Sequence, residues 1–409
     1  MASDRFDAWV MERYPPVVRM KVFGVGEVVT LRDPEAIRQL FTASPEAVTS
    51  GRINGRVLPV LGRGSVMLLD GESHMRMRKL LLPPFHGDAI RGYEGLIGRI
   101  AADEVASWPR GSEFPIHPRM QAIALEVILE VVLGVSAGER RRRLRAVLPK
   151  VLEANPIAFL LDGRFPWLAS GPIGSLRPWV RARREAEALL REEIAAHRAN
   201  PGAGDILALL LEVRDEDGGR LGDAELVGQL MTLLLAGHET TASSLAWCFE
   251  RLLRHPAALA RLRAELERGE DGYLDAVIKE TMRQRPVVEV VWRELAEPYE
   301  VGGHRLPAGT IVVPVIRAVA AEAFEAPGEF RPERFTDGAV TPYSHIPFGG
   351  GTRRCLGASF ATLEMKTVLR TVLERVDLTA PHPAPEPRNR SRRFTTSPGR
   401  GARVVAAAR

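Results

Sequence analysis

Apolar residues recur at three- and four-residue spacing through most of the chain, the period of an amphipathic α-helix. That period predicts helices over about 88–107, 118–134, 139–153, 178–198, 204–214 and 223–254, with a further one over 357–375. The pattern is already helical from Glu72 onward. Asp33 followed by Pro34 marks the start of an earlier helix running to Phe41, since proline suits the first helical position. Pro- and Gly-containing loops such as Phe165-Pro166-Trp167 and Gly171-Pro172 punctuate the helices. Short β-prone runs stand at Val28–Leu31, Val287–Val291, Thr310–Val313 and Ala402–Val405, with Pro307-Ala308-Gly309 as a turn. Residues 1 to about 50 read as strand-rich, and the Gly-rich stretch 51–71 as a loop. No internal repeat and no linker divides the chain. The expectation is one domain over 1–409, mainly α with small β-sheets.

The 223–254 segment is long for a globular helix. Asp223 stands near its start, and Gly237 sits in its middle, where glycine costs roughly 1 kcal/mol relative to alanine. Such a glycine calls for a packing or functional reason.

Composition narrows the classes. The chain has 409 residues, 45% hydrophobic and 26% charged, enough to bury a large core. Net charge is +5, from 56 Lys and Arg against 51 Asp and Glu. No basic helix is interleaved with aromatics, so nucleic acid is not an expected partner. The run Arg140–Arg143 reads as a solvated helix end. Two cysteines, Cys248 and Cys355, do not make a disulfide framework. The N-terminal residues carry no apolar run of the signal-peptide kind, and no apolar run approaches the ~20 residues of a membrane span. A soluble cytoplasmic protein is expected.

Cys355 stands in Phe348-Gly349-Gly350-Gly351-Thr352-Arg353-Arg354-Cys355-Leu356-Gly357, ahead of a helix. Glycines let backbone approach closely, a helix N-terminus favours a thiolate, and arginine offers a fork for a carboxylate. A functional thiolate, a buried structural cysteine and a redox-sensing thiol all remain open from spacing alone. Zinc is not expected, because no second cysteine or paired histidines accompany it.

This stretch resembles the cysteine-ligand loop of the cytochrome P-450 family, the haem-thiolate monooxygenases, with Phe348, Gly349, Gly351, Arg353 and Gly357 at the five pattern positions around Cys355. The resemblance extends over nearly the whole chain. It implies the cytochrome P-450 fold, with haem b (iron protoporphyrin IX) between a long distal helix and the proximal loop. Cys355 would be the iron ligand, its thiolate favouring O–O cleavage. Arg353 would pair with a haem propionate and Phe348 pack on the sulfur side.

Ala236-Gly237-His238-Glu239-Thr240-Thr241 is similar to the family's oxygen-binding groove. There Thr240 would hold water or hydroperoxide, Glu239 relay protons, Gly237 leave room for oxygen and substrate, and Ala236 and Gly237 lie against the cofactor. The alternative is a threonine hydroxyl bonded to the preceding turn's carbonyl. His238 reads as an orientation or surface feature, not a ligand. Glu280 and Arg283 match the family's Glu-x-x-Arg, with Arg334 of Pro332-Glu333-Arg334-Phe335 completing a structural triad. His74, Arg78 and Arg293 match further propionate positions. Where relatives carry a His-Arg-Asp-Pro type of turn, this chain has Ala318-Val319-Ala320-Ala321, with Arg317 just before it. That departure puts local packing near the sheet in doubt.

By position, Val57, Leu58, Val60, Leu61, Leu233, Ala236, Val287, Val288, Glu289, Val290, Phe394, Thr395 and Thr396 would line the substrate pocket. Most are apolar, so a hydrophobic small molecule is expected: terpenoid, fatty acid, steroid or polyketide-like. Glu289 would bind a polar group or point to solvent. Arg76, Lys79, Arg354, Lys366 and Arg370 would form a basic face for electron delivery by a separate ferredoxin or flavodoxin with its reductase. Dioxygen is the expected oxidant and a monomer the expected state. Hydroxylation or epoxidation is the expected reaction. The rivals are oxidative coupling on the same haem centre, a haem-binding sensor without turnover, and a haem-free helical scaffold.

Overall fold

The computed structural model describes residues 12–22, 25–57, 61, 64–85, 87–134, 138–152, 177–202, 204–336, 338, 340–389 and 395–409. In chain order its elements begin with strands β1 (Val17–Val22) and β2 (Gly26–Leu31), helix α1 (Pro34–Thr42), β3 (Val48–Thr49), α2 (Gly51–Val57) and α3 (Gly71–Leu81). Next come α4 (Asp88–Arg91), α5 (Glu94–Ala106), β4 (Glu113–Pro115), α6 (His117–Leu133), α7 (Glu139–Leu152), α8 (Arg177–Ala199), α9 (Ile206–Glu212) and α10 (Asp223–Arg254). After these stand α11 (Pro256–Glu267), α12 (Gly272–Gln284), β5 (Arg293–Leu295), β6 (Tyr299–Val301), β7 (His304–Leu306), β8 (Ile311–Pro314) and α13 (Ile316–Ala323). The chain closes with α14 (Ala358–Arg375), β9 (Val376–Thr379), β10 (Arg388–Asn389), β11 (Ser397–Pro398) and β12 (Arg403–Ala408).

The helices enclose the main core, and α10 runs through it. Leu230, Leu234, Leu245 and Phe249 on α10 are buried with Ile123, Val127 and Leu129 of α6 and Val368 and Leu369 of α14. A five-stranded sheet, ordered β1-β2-β8-β5-β3, holds a second, smaller core. Its β2–β8 pair is parallel and the other pairs are antiparallel. A three-stranded sheet, β4-β12-β9, ties the C-terminal segment to the chain ahead of α6.

Several expectations are met closely. Asp33 caps α1, accepting from Ala36 N at 2.7 Å. The long helix spans Asp223–Arg254 without a break. Its N-cap is Gly222, whose N–H goes to Glu225 Oε2 at 2.9 Å. Three expectations fail. The 51–71 stretch is not all loop: Gly51–Val57 is helical and Val66–Leu68 forms a 3-10 turn. Ser50 N and Gly51 N at the start of α2 both donate to Asp70 Oδ1 at 2.8 Å, which supplies the anchor that the local sequence lacks. The helix read over 88–107 is broken at Gly92-Tyr93 into α4 and α5. Val287–Val291 makes only an isolated bridge between Val290 and Val315. Its backbone bonds go to three separate places, Thr396, Ile316 and Pro314, so no ladder forms. At 318–321, where relatives carry a polar turn, α13 buries Ile316 and Val319 in the sheet core, with Ala320 buried beside them.

The segment before α3 is fastened to α10. Gln229 Oε1 accepts from Val66 N at 3.0 Å while its amide donates to Gly64 O. Thr232 Oγ1 meets Ser65 Oγ at 2.8 Å. A Cβ on Gly228 would lie 2.9 Å from Gly64 C and 3.0 Å from Ser65 N. Backbone on both sides leaves that methyl no room, so Gly228→Ala is expected to destabilise the fold by about 1–3 kcal/mol. Urea unfolding of the variant checks this, and an unchanged midpoint would contradict it.

Candidate active site

The loop ahead of α14 is closed by its own backbone. Cys355 N donates to Phe348 O at 3.0 Å, Arg354 N to Gly351 O at 3.1 Å and Gly349 N to Ile346 O at 2.9 Å. Gly349 and Gly351 adopt φ of +66° and +65°, where a side chain would be strained. A Cβ on Gly350 would run into the Phe41 ring. These glycines therefore seat the loop on α1. Gly357 differs, because a Cβ there would meet nothing within 4 Å. Phe348 packs half-buried against the main core.

Cys355 presents its side chain outward from this loop. The protein packed behind it raises the thiol pKa, opposed by the Gly357 N–H and by Arg354 and Arg78. Cys248, in contrast, is sealed within α10, and burial pushes its thiol up to about 12. Among the described residues no group of three or more His, Cys, Asp and Glu side chains forms to hold a bare metal ion.

Beside the cysteine loop the structure gathers His74, Arg78, Arg293 and Arg353. Arg353 Nη2 reaches Leu69 O and Asp70 Oδ1, both at 2.5 Å. Arg293 is buried, bonded to the Trp292 and Gly350 carbonyls at 2.9 and 3.3 Å, with the Phe41 ring 5.2 Å away. Burial, then the neighbouring Arg353, lowers its pKa to about 10. Arg78 makes no ion pair among the described residues, and burial lowers its pKa too. His74 is buried; burial first, then Arg353, Arg78 and Arg293, push it down to about 4.

Asp70 is the anion that the structure sets against this group. Three guanidiniums against one carboxylate leave two positive charges uncompensated in a mostly buried place, which is costly. A ligand with two carboxylates would balance them by paired, charge-assisted bonds. Haem b carries two propionates, so these residues fit it.

Across from the loop, α10 turns two different faces. Ala236 is exposed and Thr240 half-buried on one face, with Thr240 Oγ1 donating to Ala236 O at 2.6 Å. The hydroxyl thus makes the back-bond that a threonine in any helix can make. Glu239 points the other way, into the packing between α10 and α6. Its Oε2 accepts from Gln121 at 2.7 Å and its Oε1 from Ser243 at 3.3 Å, with His117 Nε2 3.6 Å away. His238 is buried, not a surface feature, and meets the Gln121 carbonyl at 3.1 Å. Gly237 corrects its expected role. A Cβ there would lie 2.8 Å from Ile128 Cδ1 of α6, so its missing side chain serves helix packing instead of the groove.

The buried carboxylate of Glu280 draws a second set together. Arg283 donates to both its oxygens at 2.7 and 2.9 Å, Arg331 N to Oε1 at 2.9 Å, and Arg334 Nε lies 3.4 Å away. Both arginines also bind carbonyls of the approach to the cysteine loop: Arg283 takes Pro327 and Glu329, and Arg334 takes Glu325 and Ala326.

Among the expected pocket residues, Leu58, Val60 and Phe394 lie outside the described residues, as does the Val57 side chain. Leu61 is buried, while Leu233, Val287 and Thr395 are half-buried. Val288 and Val290 rest on the sheet cores. Glu289 neither points simply to solvent nor stands free for a ligand: it pairs with Arg388 at 3.3 Å. Thr396 binds Val287 O through its N–H and Pro286 O through its hydroxyl, both at 2.8 Å.

The basic face is also corrected. Arg76 pairs with Asp215 and Glu225, Lys79 with Glu216, Lys366 with Asp271 and Asp275, and Arg370 with Glu94. Arg354 alone of the five has no ion-pair partner among the described residues, and it is exposed. The sequence reading missed Asp70, His117, Gln121 and Ser243. Asp70 two residues ahead of a helical pattern was a visible signal, whereas the other three are polar positions whose meaning depends on helix phase.

Two tests follow from this geometry. In the haem-free protein the folded chain refuses a proton on His74 that the unfolded chain accepts below about 6.5. Stability should therefore fall between pH 6.5 and about 4, and cofactor carboxylates should flatten that fall. Unfolding midpoints of haem-free and haem-loaded protein across this range check it, and equal slopes would refute it. Arg283→Ala leaves Glu280 buried with weakened pairing and should cost about 3–5 kcal/mol, read from denaturant unfolding.

The cytochrome P450 family model matches residues 2–402 of the chain. Putative cytochrome P450 135B1 of Mycobacterium bovis and Mycobacterium tuberculosis is 43% identical, over 98% of this chain and 86% of that protein. Putative cytochrome P450 137 of Mycobacterium tuberculosis is 38% identical, over 97% of this chain and 84% of that protein. The structure superposes on cyanobacterial CYP120A1 with bound retinoic acid at a TM-score of 0.85 and 27% identity, covering 99% of this chain and 94% of that one. The cytochrome P450DA haem domain superposes at 0.85 with 23% identity, a likeness of fold, covering 99% and 92%.

Proposed function

The chain belongs to the cytochrome P450 family and is a haem-b monooxygenase, and from that premise we propose that it hydroxylates or epoxidises a hydrophobic small molecule. The observation that carries the reading is the unbalanced group of Arg78, Arg293, Arg353 and His74 beside the outward-facing Cys355. It supports a flat dicarboxylate cofactor seated over the loop, ligated through Cys355 Sγ.

Haem bound there supplies an iron centre that activates dioxygen with two electrons and inserts one oxygen atom into the substrate. The chain's own residues do the rest. Cys355 gives up its proton on ligation, helped by the Gly357 N–H, Arg354 and Arg78. Arg293 and Arg353 fix the cofactor's carboxylates, and Arg78 adds a third cation. Thr240 presents a hydroxyl on the same face as Ala236, and the Glu239 carboxylate, which relays protons, lies one residue away. Glu280 with Arg283 and Arg334 holds the segment leading to the loop.

The pocket walls support an apolar substrate. Leu61, Leu233, Ala236 and Val287 offer hydrocarbon, and the Glu289 charge is neutralised by Arg388. Thr395 Oγ1 is buried without a hydrogen-bond partner among the described residues, a donor for one polar group of the substrate. The retinoic acid bound to CYP120A1 supports the same class at 27% identity. Terpenoids, fatty acids, steroids and polyketide-like molecules fall within it. Electrons come from a redox partner, which we take to be a separate ferredoxin or flavodoxin with its reductase. With Arg76, Lys79, Lys366 and Arg370 already paired, Arg354 is the one of these five left exposed without an ion-pair partner among the described residues to meet it. Among the described residues no helix is long and apolar enough to cross a membrane. We take the protein to be a single-domain monomer of the cytoplasm.

The reduced carbon-monoxide complex is expected to show the red-shifted thiolate band, and Cys355→Ser to lose it. A wild-type spectrum without the band would end the reading. Titrating the ferric protein with terpenes, fatty acids, steroids and macrolides then selects the substrate class, and a spectral response only to hydrophilic compounds would overturn the apolar assignment.

A further inference from the structure

Glu239 does not stand alone behind the groove. It ends a chain of buried polar atoms that crosses from α10 to the N-terminus of α6. His117 Nε2 lies 3.2 Å from Ser243 Oγ, Ser243 Oγ donates to Glu239 Oε1 at 3.3 Å, and Gln121 Nε2 donates to Glu239 Oε2 at 2.7 Å. Ser243 is fully buried and Glu239 nearly so. His117 is the first residue of α6, and its side chain keeps 9% of its surface exposed, against 5% for Glu239. The chain thus has an inner end at the oxygen-groove helix and an outer end beside the C-terminal sheet, where His117 N donates to Gly401 O at 3.0 Å.

We propose that His117 and Ser243 form the proton supply line of Glu239. This rests on the monooxygenase reading above. The polarity of the bonds sets the direction. With the proton on His117 Nε2, that N–H points to Ser243 Oγ, and the Ser243 hydroxyl points to Glu239 Oε1. Transfer breaks the His117 N–H bond and forms an O–H on Ser243. At the same time the original Ser243 O–H breaks and an O–H forms at Glu239 Oε1. An imidazolium and a carboxylate become a neutral imidazole and a neutral carboxylic acid, with no electrons moved, and His117 regains its proton through its exposed edge.

Neutral Glu239 no longer carries the charge that Gln121 and Ser243 hold, which frees the acid to turn toward Thr240. Histidine suits the outer position because its ordinary pKa lies near neutrality. Glu239 of α10 faces it at 3.6 Å, and two residues along α6 stands Arg119, which is engaged by Glu104 of α5 at 3.2 Å.

The test has two arms, both on haem-loaded protein. In the first, histidines carry a carbon-13 label and the ferrous carbon-monoxide form is titrated by NMR. The His117 signal is assigned by its loss in His117→Gln. Replacing Glu239 by Gln should lower the His117 midpoint by about one unit, a tenfold loss of proton affinity, since a carboxylate within 4–6 Å favours the charged ring. An unmoved midpoint overturns the coupling.

In the second arm, a plant-type ferredoxin and its reductase supply electrons under air, and peroxide released per reductant consumed is measured. Ser243→Ala and His117→Gln should each raise that ratio at least threefold, and the solvent-deuterium effect on it should shrink. A wild-type ratio in Ser243→Ala, a substitution that removes one oxygen atom, overturns the supply line. A missing thiolate band would instead overturn the monooxygenase reading, so the two failures are distinct.

Discussion

The carboxylate of Glu280 is the buried charge on which the proximal half of the molecule is assembled. It sits within α12 at 0% exposure, takes donors from Arg283 and a backbone N–H, and has Arg334 as a further ion-pair partner. A charge so placed is tolerable only when fully paired. The same guanidiniums grip four carbonyls between Glu325 and Glu329. Helix, meander and the run toward Phe348 therefore share one fixed point. Replacing it with hydrocarbon would keep the packing but lose the directional bonds that set where the loop begins.

The site beyond that loop uses the opposite principle. Around Glu280 the charges are balanced within the protein. Around Arg353 they are not, and the shortfall is two negative charges in a place where water is largely excluded. One balanced network supports the frame, and one unbalanced network suits a ligand with two carboxylates. Asp70 links the second to the fold, because the same oxygen that receives Arg353 also starts α2. Cofactor binding and the geometry of the segment ahead of α3 are thereby coupled through a single carboxylate.

Local chemistry was legible in the sequence and direction was not. The cysteine loop, the Glu280–Arg283 spacing and the long helix are short-range patterns, and each has its place in the structure. Gly237 was legible as a costly residue, but its missing side chain faces Ile128, a matter of rotational phase that no neighbour in sequence reports. The valines at 287–291 carried strand propensity, yet a strand needs one continuous partner and this stretch has three. The surface lysines and arginines read as a basic face because their acidic partners stand up to 276 residues away. His117, Gln121 and Ser243 were invisible for the same reason.

Phe41 lies under Gly350, and a side chain at either Gly350 or Gly351 would strike it. The cysteine loop near the end of the chain is thus shaped against a helix formed near its beginning. Contacts of that sequence separation are expensive in loop-closure entropy and form late. During synthesis α1 emerges first and must wait, its aromatic face uncovered, until the loop arrives about three hundred residues later at roughly 5–20 residues per second. The seat of Cys355 therefore cannot be complete until nearly the whole chain has been made.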